Sequence, residues 1–159
     1  MITDAKIDIV QADLGNSEHA EQFLQLTSAY MADPMGEGRS WTDEQRSKLI
    51  GDIQEHPCAL VLFAKDADAY AGICTCFYAY STFLVKPILN IHDIFVLEDH
   101  RGKGVGTRLM SALERIARQE GCGKITLEVR KDNLNARDLY KSQGYTEAPH
   151  SMFFWMKYL

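Results

Sequence analysis

In the run Ile91-His92-Asp93-Ile94-Phe95-Val96-Leu97-Glu98-Asp99-His100-Arg101-Gly102-Lys103-Gly104-Val105-Gly106-Thr107, an apolar, strand-like segment leads straight into three alternate glycines. Glycines at such a turn let the backbone take positive φ and let a ligand approach the main chain. Successive N–H groups can then converge on phosphate oxygens at the positive end of the helix that follows. Arg101, Lys103 and Arg108 add formal positive charge there. Just upstream stand His92 and Asp93, candidates for removing a proton near neutral pH, directly or through a water. As neighbours on one strand they are expected to point to opposite faces.

Two other phosphate loops fail on the letters. A Walker loop requires Lys-Ser or Lys-Thr after a G-x-x-x-x-G spacing, which is absent here. A dinucleotide fingerprint has glycine where Thr107 stands, and only about 50 residues follow, too few for a typical doubly wound sheet.

The elements that must position this turn are legible from periodicity. Lys6 to Ala12 alternates as a half-buried strand, and from Ser17 the apolar positions Ala20, Phe23, Leu24, Thr27, Tyr30 and Met31 fall on one helical face, with Asn16 or Ser17 as cap. Asp33 to Arg39 is a loop, and Thr42-Asp43-Glu44-Gln45 is a capping box for a second helix ending at His56-Pro57. Cys58–Ala64, Tyr70–Phe83 and Pro87–Leu97 read as an antiparallel meander. Gly104–Gln119 is an amphipathic helix, Lys124–Arg130 a strand, Asn133–Gln143 a short helix closed by Gly144, and Met152–Leu159 a final aromatic strand. The expected architecture is a mixed α/β sheet of about seven strands with four helices, one domain spanning residues 1–159.

Composition sets the outer bounds. The chain has 159 residues, 46% hydrophobic and 25% charged, which suits one globular domain. Its longest apolar run, Ala59 to Ala64, is far short of the ~20 residues of a membrane span, and the N-terminus alternates charge where a signal peptide is apolar. No membrane association is expected, and the localisation expected is cytoplasmic. The net charge of −5 argues against nucleic acid as a partner. It hides an asymmetry: residues 1–99 hold 6 Lys/Arg and 16 Asp/Glu, residues 100–159 hold 11 and 6. A cleft between the halves has one wall suited to a polyanion and one suited to a cation. Cys58, Cys74, Cys76 and Cys122 lack C-x-x-C or zinc-ligand spacing, so they read as buried thiols and no metal is expected.

The segment from Ile91 to Tyr145 resembles the acyl-CoA-binding core of the GNAT superfamily of N-acyltransferases. Its signature of Arg or Gln, then x-x-G-x-G or x-x-G-x-A, is matched by Arg101-x-x-Gly104-x-Gly106 directly after Phe95-Val96. A second signature, Asn, Ala three residues on and Tyr seven residues on, ahead of a Gly-aromatic pair, is matched by Asn133, Ala136, Tyr140 and Gly144-Tyr145. The resemblance implies a GNAT-like fold and an acetyl-CoA-dependent transfer to a primary amine of a small molecule by direct attack. Two other outcomes stand beside it: a non-catalytic acyl-CoA-binding or sensor module, and a protein N-acetyltransferase.

For the site, the resemblance implies that the amides of Gly102, Lys103, Gly104, Val105, Gly106 and Thr107, with Arg101, hold the diphosphate of acetyl-CoA. The main chain of Phe95 and Val96 would bond the pantetheine like an added strand. Tyr140 would protonate the leaving thiolate. Asn133 reads equally as a cofactor contact and as a helix N-cap. The run Phe77 to Thr82 followed by Ile91 to Val96 is similar to the diamine-acetyltransferase branch, where an acidic residue usually stands at the position of His92. The base is therefore left between His92, Asp93 and a water relay. The loop from Asp33 to Trp41 would form the acceptor wall, with Asp33, Glu37, Asp43, Glu44, Tyr30 and Trp41 suited to a cationic amine. Homodimers are frequent in the superfamily, and Met152-Phe153-Phe154-Trp155-Met156 is a candidate for pairing across an interface or for completing the sheet.

Overall fold

The computed structural model describes residues 7–150 and 152–159. β1 (Ile7–Gln11) is followed by α1 (Ser17–Ala32) and α2 (Asp43–Glu55), then by the meander β2 (Ala59–Asp66), β3 (Ala69–Ser81) and β4 (Lys86–Val96). A 3-10 turn at Glu98–His100 leads into α3 (Val105–Gln119), β5 (Ile125–Leu127) and α4 (Leu134–Ser142). The strands form one sheet in chain order, antiparallel from β1 to β4, with β5 parallel to β4. No helix among the described residues is long and apolar enough to cross a membrane.

Local signals account for the helix boundaries. Asn16 accepts hydrogen bonds from the amides of Glu18 and His19 at the start of α1, and Thr42 and Gln45 form the expected reciprocal capping box on α2. At the other end of α3, Gly121 takes φ 70°, the left-handed conformation that ends helices.

The sheet separates two apolar clusters. Leu60, Leu62, Cys74, Cys76, Leu89 and Ile91 pack with Val105, Leu109 and Leu113 of α3 and Tyr140 of α4. On the opposite face Val61, Phe63, Ile73 and Phe95 pack with Phe23 and Leu26 of α1. The alternation of strand side chains between faces feeds both clusters. The basic second half of the chain thus supplies the helices of one face, and the acidic first half those of the other.

Four expectations are corrected. The described sheet has five strands rather than about seven. The strand expected over Lys124–Arg130 is confined to Ile125–Leu127, and Met152–Leu159 is irregular chain with Phe153, Phe154 and Trp155 exposed. So short a β5 offers its outer side only a few ladder groups, and composition alone does not supply a pairing partner. Of the cysteines, only Cys74 and Cys76 are buried, with their Sγ atoms 3.4 Å apart; Cys58 and Cys122 are half-buried, and all four are free thiols.

Candidate active site

β4 and β5 pair only at Leu89–Ile125, Asn90–Thr126 and Ile91–Leu127. The Asn90 amide reinforces the middle pair by donating to Thr126 Oγ1 at 3.1 Å. Beyond Ile91 the strands part, and β4 continues to Val96 bonded to β3 alone. Leu97 N donates to Ala71 O, so ladder alternation turns the N–H and C=O of Val96 toward the open side. The expectation for Phe95 needs correcting: it sits opposite Ile73 with its main chain turned to β3, and its ring is buried beside Tyr30, 5.4 Å between centroids. By the same alternation, the residue that shares the open side with Val96 is Ile94, which the motif did not single out.

The glycine turn closes the end of this gap. Gly102 and Gly104 take φ 73° and 82°, and Gly104 is the left-handed N-cap of α3. A left-handed residue here lets main-chain N–H groups face outward at the helix start, where no side chain caps α3. A Cβ at either glycine meets nothing within 4 Å, so the surface over the turn is open to a ligand. Gly106 lies one residue into the helix, where a Cβ would come within 2.9 Å of Leu139 of α4. Arg101, Gly102, Lys103 and Thr107 are exposed, and Val105 is buried in the core and anchors the turn. His100 Nδ1 lies 3.0 Å from Asp66 Oδ2 and ties the turn to the end of β2.

Tyr140 comes to the floor of the same gap from α4, 8% exposed. Burial first, then the neighbouring Cys74 and Tyr30, push its phenol up to about 12, which keeps the proton on it at neutral pH. Tyr145 lies 6.1 Å away between ring centroids, and burial raises its phenol too. Its hydroxyl is buried without a hydrogen-bond partner among the described residues, as is Thr27 Oγ1 on α1. Both residues line the cleft, and such orphaned hydroxyls fit a site whose partners arrive with a ligand. Asn133 caps α4, accepting from Ala136 N at 3.2 Å.

His92 and Asp93 do not point to opposite faces. Thr75 pairs with Asp93 but Cys76 pairs with Ile91, leaving His92 as the extra residue of a β-bulge. Ile91 and Ile94, three apart, both pack in the α3 cluster. The two residues between them are turned to the α1 side, as a bulge allows. The His92 ring meets Phe77 edge-on at 5.7 Å. Asp93 is half-buried: burial raises its carboxyl above the usual range, the His92 charge draws it down, and Glu37 adds to the rise.

The wall expected to face the acceptor comes from α1 and the loop after it. Burial and the charges of Asp93, Asp33 and Glu37 raise the Tyr30 phenol, so three carboxylates converge on this ring. An open cleft of about 3140 Å³ joins this wall, with Trp41, to the glycine turn and Tyr140. Asp43 and Glu44 lie in the exposed first turn of α2 and do not line it.

A parted sheet, a glycine turn at its mouth and a protonated tyrosine at its floor is the arrangement that the two sequence signatures anticipate. The sequence model of the Acetyltransferase (GNAT) family matches residues 20–145. The chain belongs to this family.

Among its relatives, an uncharacterized N-acetyltransferase YhfO of Bacillus subtilis (strain 168) is 34% identical over 62% of this chain and 66% of its own length. Thialysine N-epsilon-acetyltransferase of Bos taurus is 34% identical over 43% of this chain and 39% of its own. The matched stretch therefore spans less than two thirds of each relative. Among solved structures, an aminoglycoside acetyltransferase from an uncultured soil metagenomic sample superposes with a TM-score of 0.81 at 18% identity, covering 100% of both chains. AAC(6')-Iy, solved with a CoA-linked bisubstrate analog, gives 0.75 at 18% identity over 96% of this chain and 99% of its own. The likeness to these solved structures shows the fold.

Proposed function

We propose that this GNAT protein transfers the acetyl group of acetyl-CoA to a primary amine of a small, cationic molecule by direct attack. The observation that carries the reading is the gap between β4 and β5: a strand edge at Ile94 and Val96 that no strand pairs leads from the glycine turn to Tyr140. Among its relatives, the thialysine and streptothricin acetyltransferases are named for small amine-bearing molecules. The chain's residues divide the work. The amides from Gly102 to Thr107 face the diphosphate, with Lys103 and Arg101 as counter-charges. The Val96 main chain takes the pantetheine as an added strand. Asn133 holds the start of α4 and so the placement of Tyr140.

Transfer requires a neutral amine and a proton for the leaving thiolate. His92, at the exposed lip of the bulge, removes the proton from the amine, and Asp93 beside it faces the resulting charge. Tyr140, fully protonated at neutral pH, donates to the thiolate. The carboxylates around Tyr30 favour an acceptor that carries positive charge.

The test is a thermal melt with acetyl-CoA, CoA and NAD, each in large excess. A ligand at 100 times its dissociation constant adds ~2.7 kcal/mol, which raises Tm by roughly 5–10 °C for a chain of this size. A shift with both CoA species and none with NAD is expected, followed by turnover on a panel of amines. No shift with acetyl-CoA overturns the donor assignment. Binding without turnover on any amine returns the protein to the acyl-CoA sensor reading.

A further inference from the structure

Arg101 opens the motif that faces the donor's phosphates, yet its guanidinium is already engaged. Its Nε donates to Val96 O at 2.9 Å, and a terminal nitrogen donates to Asp33 Oδ2 at 2.7 Å. The guanidinium carbon also lies 5.5 Å from the centre of the Phe95 ring. Each partner belongs to the site. Val96 O is the acceptor on the parted edge of β4, where a donor amide would bond. Asp33 is the C-cap of α1, one turn beyond Tyr30, with its side chain only 13% exposed. Its other oxygen accepts from Met35 N at 2.9 Å, which fixes the carboxylate at the root of the acceptor loop.

Two of its five N–H donors are committed to this carbonyl and this carboxylate, and its one positive charge is shared with Asp33, so a diphosphate competes with the carboxylate for it. A mostly buried carboxylate that loses its cation is costly until another replaces it. We propose that Arg101 exchanges partners: Asp33 and Val96 O hold it in the free protein, the donor's diphosphate takes it on binding, and the Asp33 carboxylate so released becomes the counter-charge for the acceptor's cationic group. This rests on the acetyl-CoA and cationic-amine reading above. Asp33 is then a residue of both half-sites: it competes with the donor for Arg101 and binds the acceptor after the donor has won.

The exchange makes a prediction opposite in sign to that of a merely structural ion pair. Calorimetric titration of the intact protein with CoA is the measurement, since CoA keeps the diphosphate without turnover. Asp33→Asn, which keeps the shape of the side chain, binds CoA roughly 5-fold tighter than wild type, and Arg101→Gln binds it more weakly. With 1,4-diaminobutane as the cationic probe at saturation, wild type binds CoA roughly 5-fold tighter than without it, by reciprocal linkage, and Asp33→Asn shows no such gain. A melt of each unliganded variant, together with Asp33→Ser as a second replacement, confirms that folded proteins are compared. Equal or weaker CoA binding in both Asp33 variants overturns the exchange. Diaminobutane acting alike on wild type and variants, or on none, removes Asp33 from the acceptor site. If wild type fails to bind CoA at all, the donor reading falls and takes the exchange with it.

Discussion

Tyr140 and the His92–Asp93 pair approach the cleft from different elements, and substitution separates their roles. Tyr140→Phe removes one oxygen from a buried ring and leaves its place in the α3 cluster intact. The expected result is unchanged acetyl-CoA affinity with kcat lowered by about 100-fold, the usual scale of a lost acid. Unchanged turnover would take the acid role from Tyr140. For the base, the acidic limb of kcat/KM reports the group that must be deprotonated. Loss of this limb in His92→Ala supports the imidazole as base; a limb that survives His92→Ala and vanishes in Asp93→Asn reverses the assignment. Residue types at this site were readable from sequence, since Arg101-x-x-Gly104-x-Gly106 and Asn133 to Tyr140 are short, ordered patterns. Orientation was not. Strand alternation sent His92 and Asp93 apart, and only the register between β3 and β4 reveals the bulge that turns both to one side.

Elements were legible where the signal is local. The Asn16 and Thr42 caps, and the glycine after α3, lie within a turn of the backbone groups they satisfy, so sequence spacing suffices. The aromatic stretch Met152–Leu159 has the composition of a strand, but pairing is a property of two segments, and β5 presents little to pair with. The Asp33–Arg101 contact spans 68 positions and was likewise invisible. Two glycines show how local and close-packing demands differ. At Gly104 an added Cβ meets nothing, so alanine there carries only the left-handed backbone penalty of about 1–2 kcal/mol, or roughly 2–8 °C in Tm. At Gly36 a Cβ would stand 2.1 Å from Tyr30 O, so the loop after α1 must move. Melts of Gly104→Ala and Gly36→Ala with and without acetyl-CoA distinguish the two. Both lose stability; the ligand-induced rise shrinks in Gly104→Ala, whose turn amides are disturbed, and persists in Gly36→Ala. A preserved rise in Gly104→Ala would show that the left-handed turn does not hold the donor.

At the scale of the whole molecule, the sheet sets the helices of the basic half of the chain on one face and those of the acidic half on the other, and the tyrosines buried along it tie the proposed acid to stability. Tyr140 is raised to about 12 by burial, from an ordinary value near 10. A phenol whose folded value lies above its unfolded one holds its proton in the native state while the unfolded chain releases it. Its contribution is complete below pH ~10 and is lost as the pH rises through ~12. At pH 11 the unfolded chain has mostly ionised and the native phenol has not, so Tyr140 alone lowers the unfolding free energy by about 1.4 kcal/mol relative to pH 9. Tyr145, raised in the same direction, adds to the fall. Denaturant unfolding at pH 9 and pH 11 measures it. Tyr140→Phe, with no group to ionise, loses less stability across this interval than wild type. An equal loss in both proteins would mean that the phenol is solvated in the native state, and a tyrosine that opens to water so readily is also poorly held for donating a proton to the thiolate.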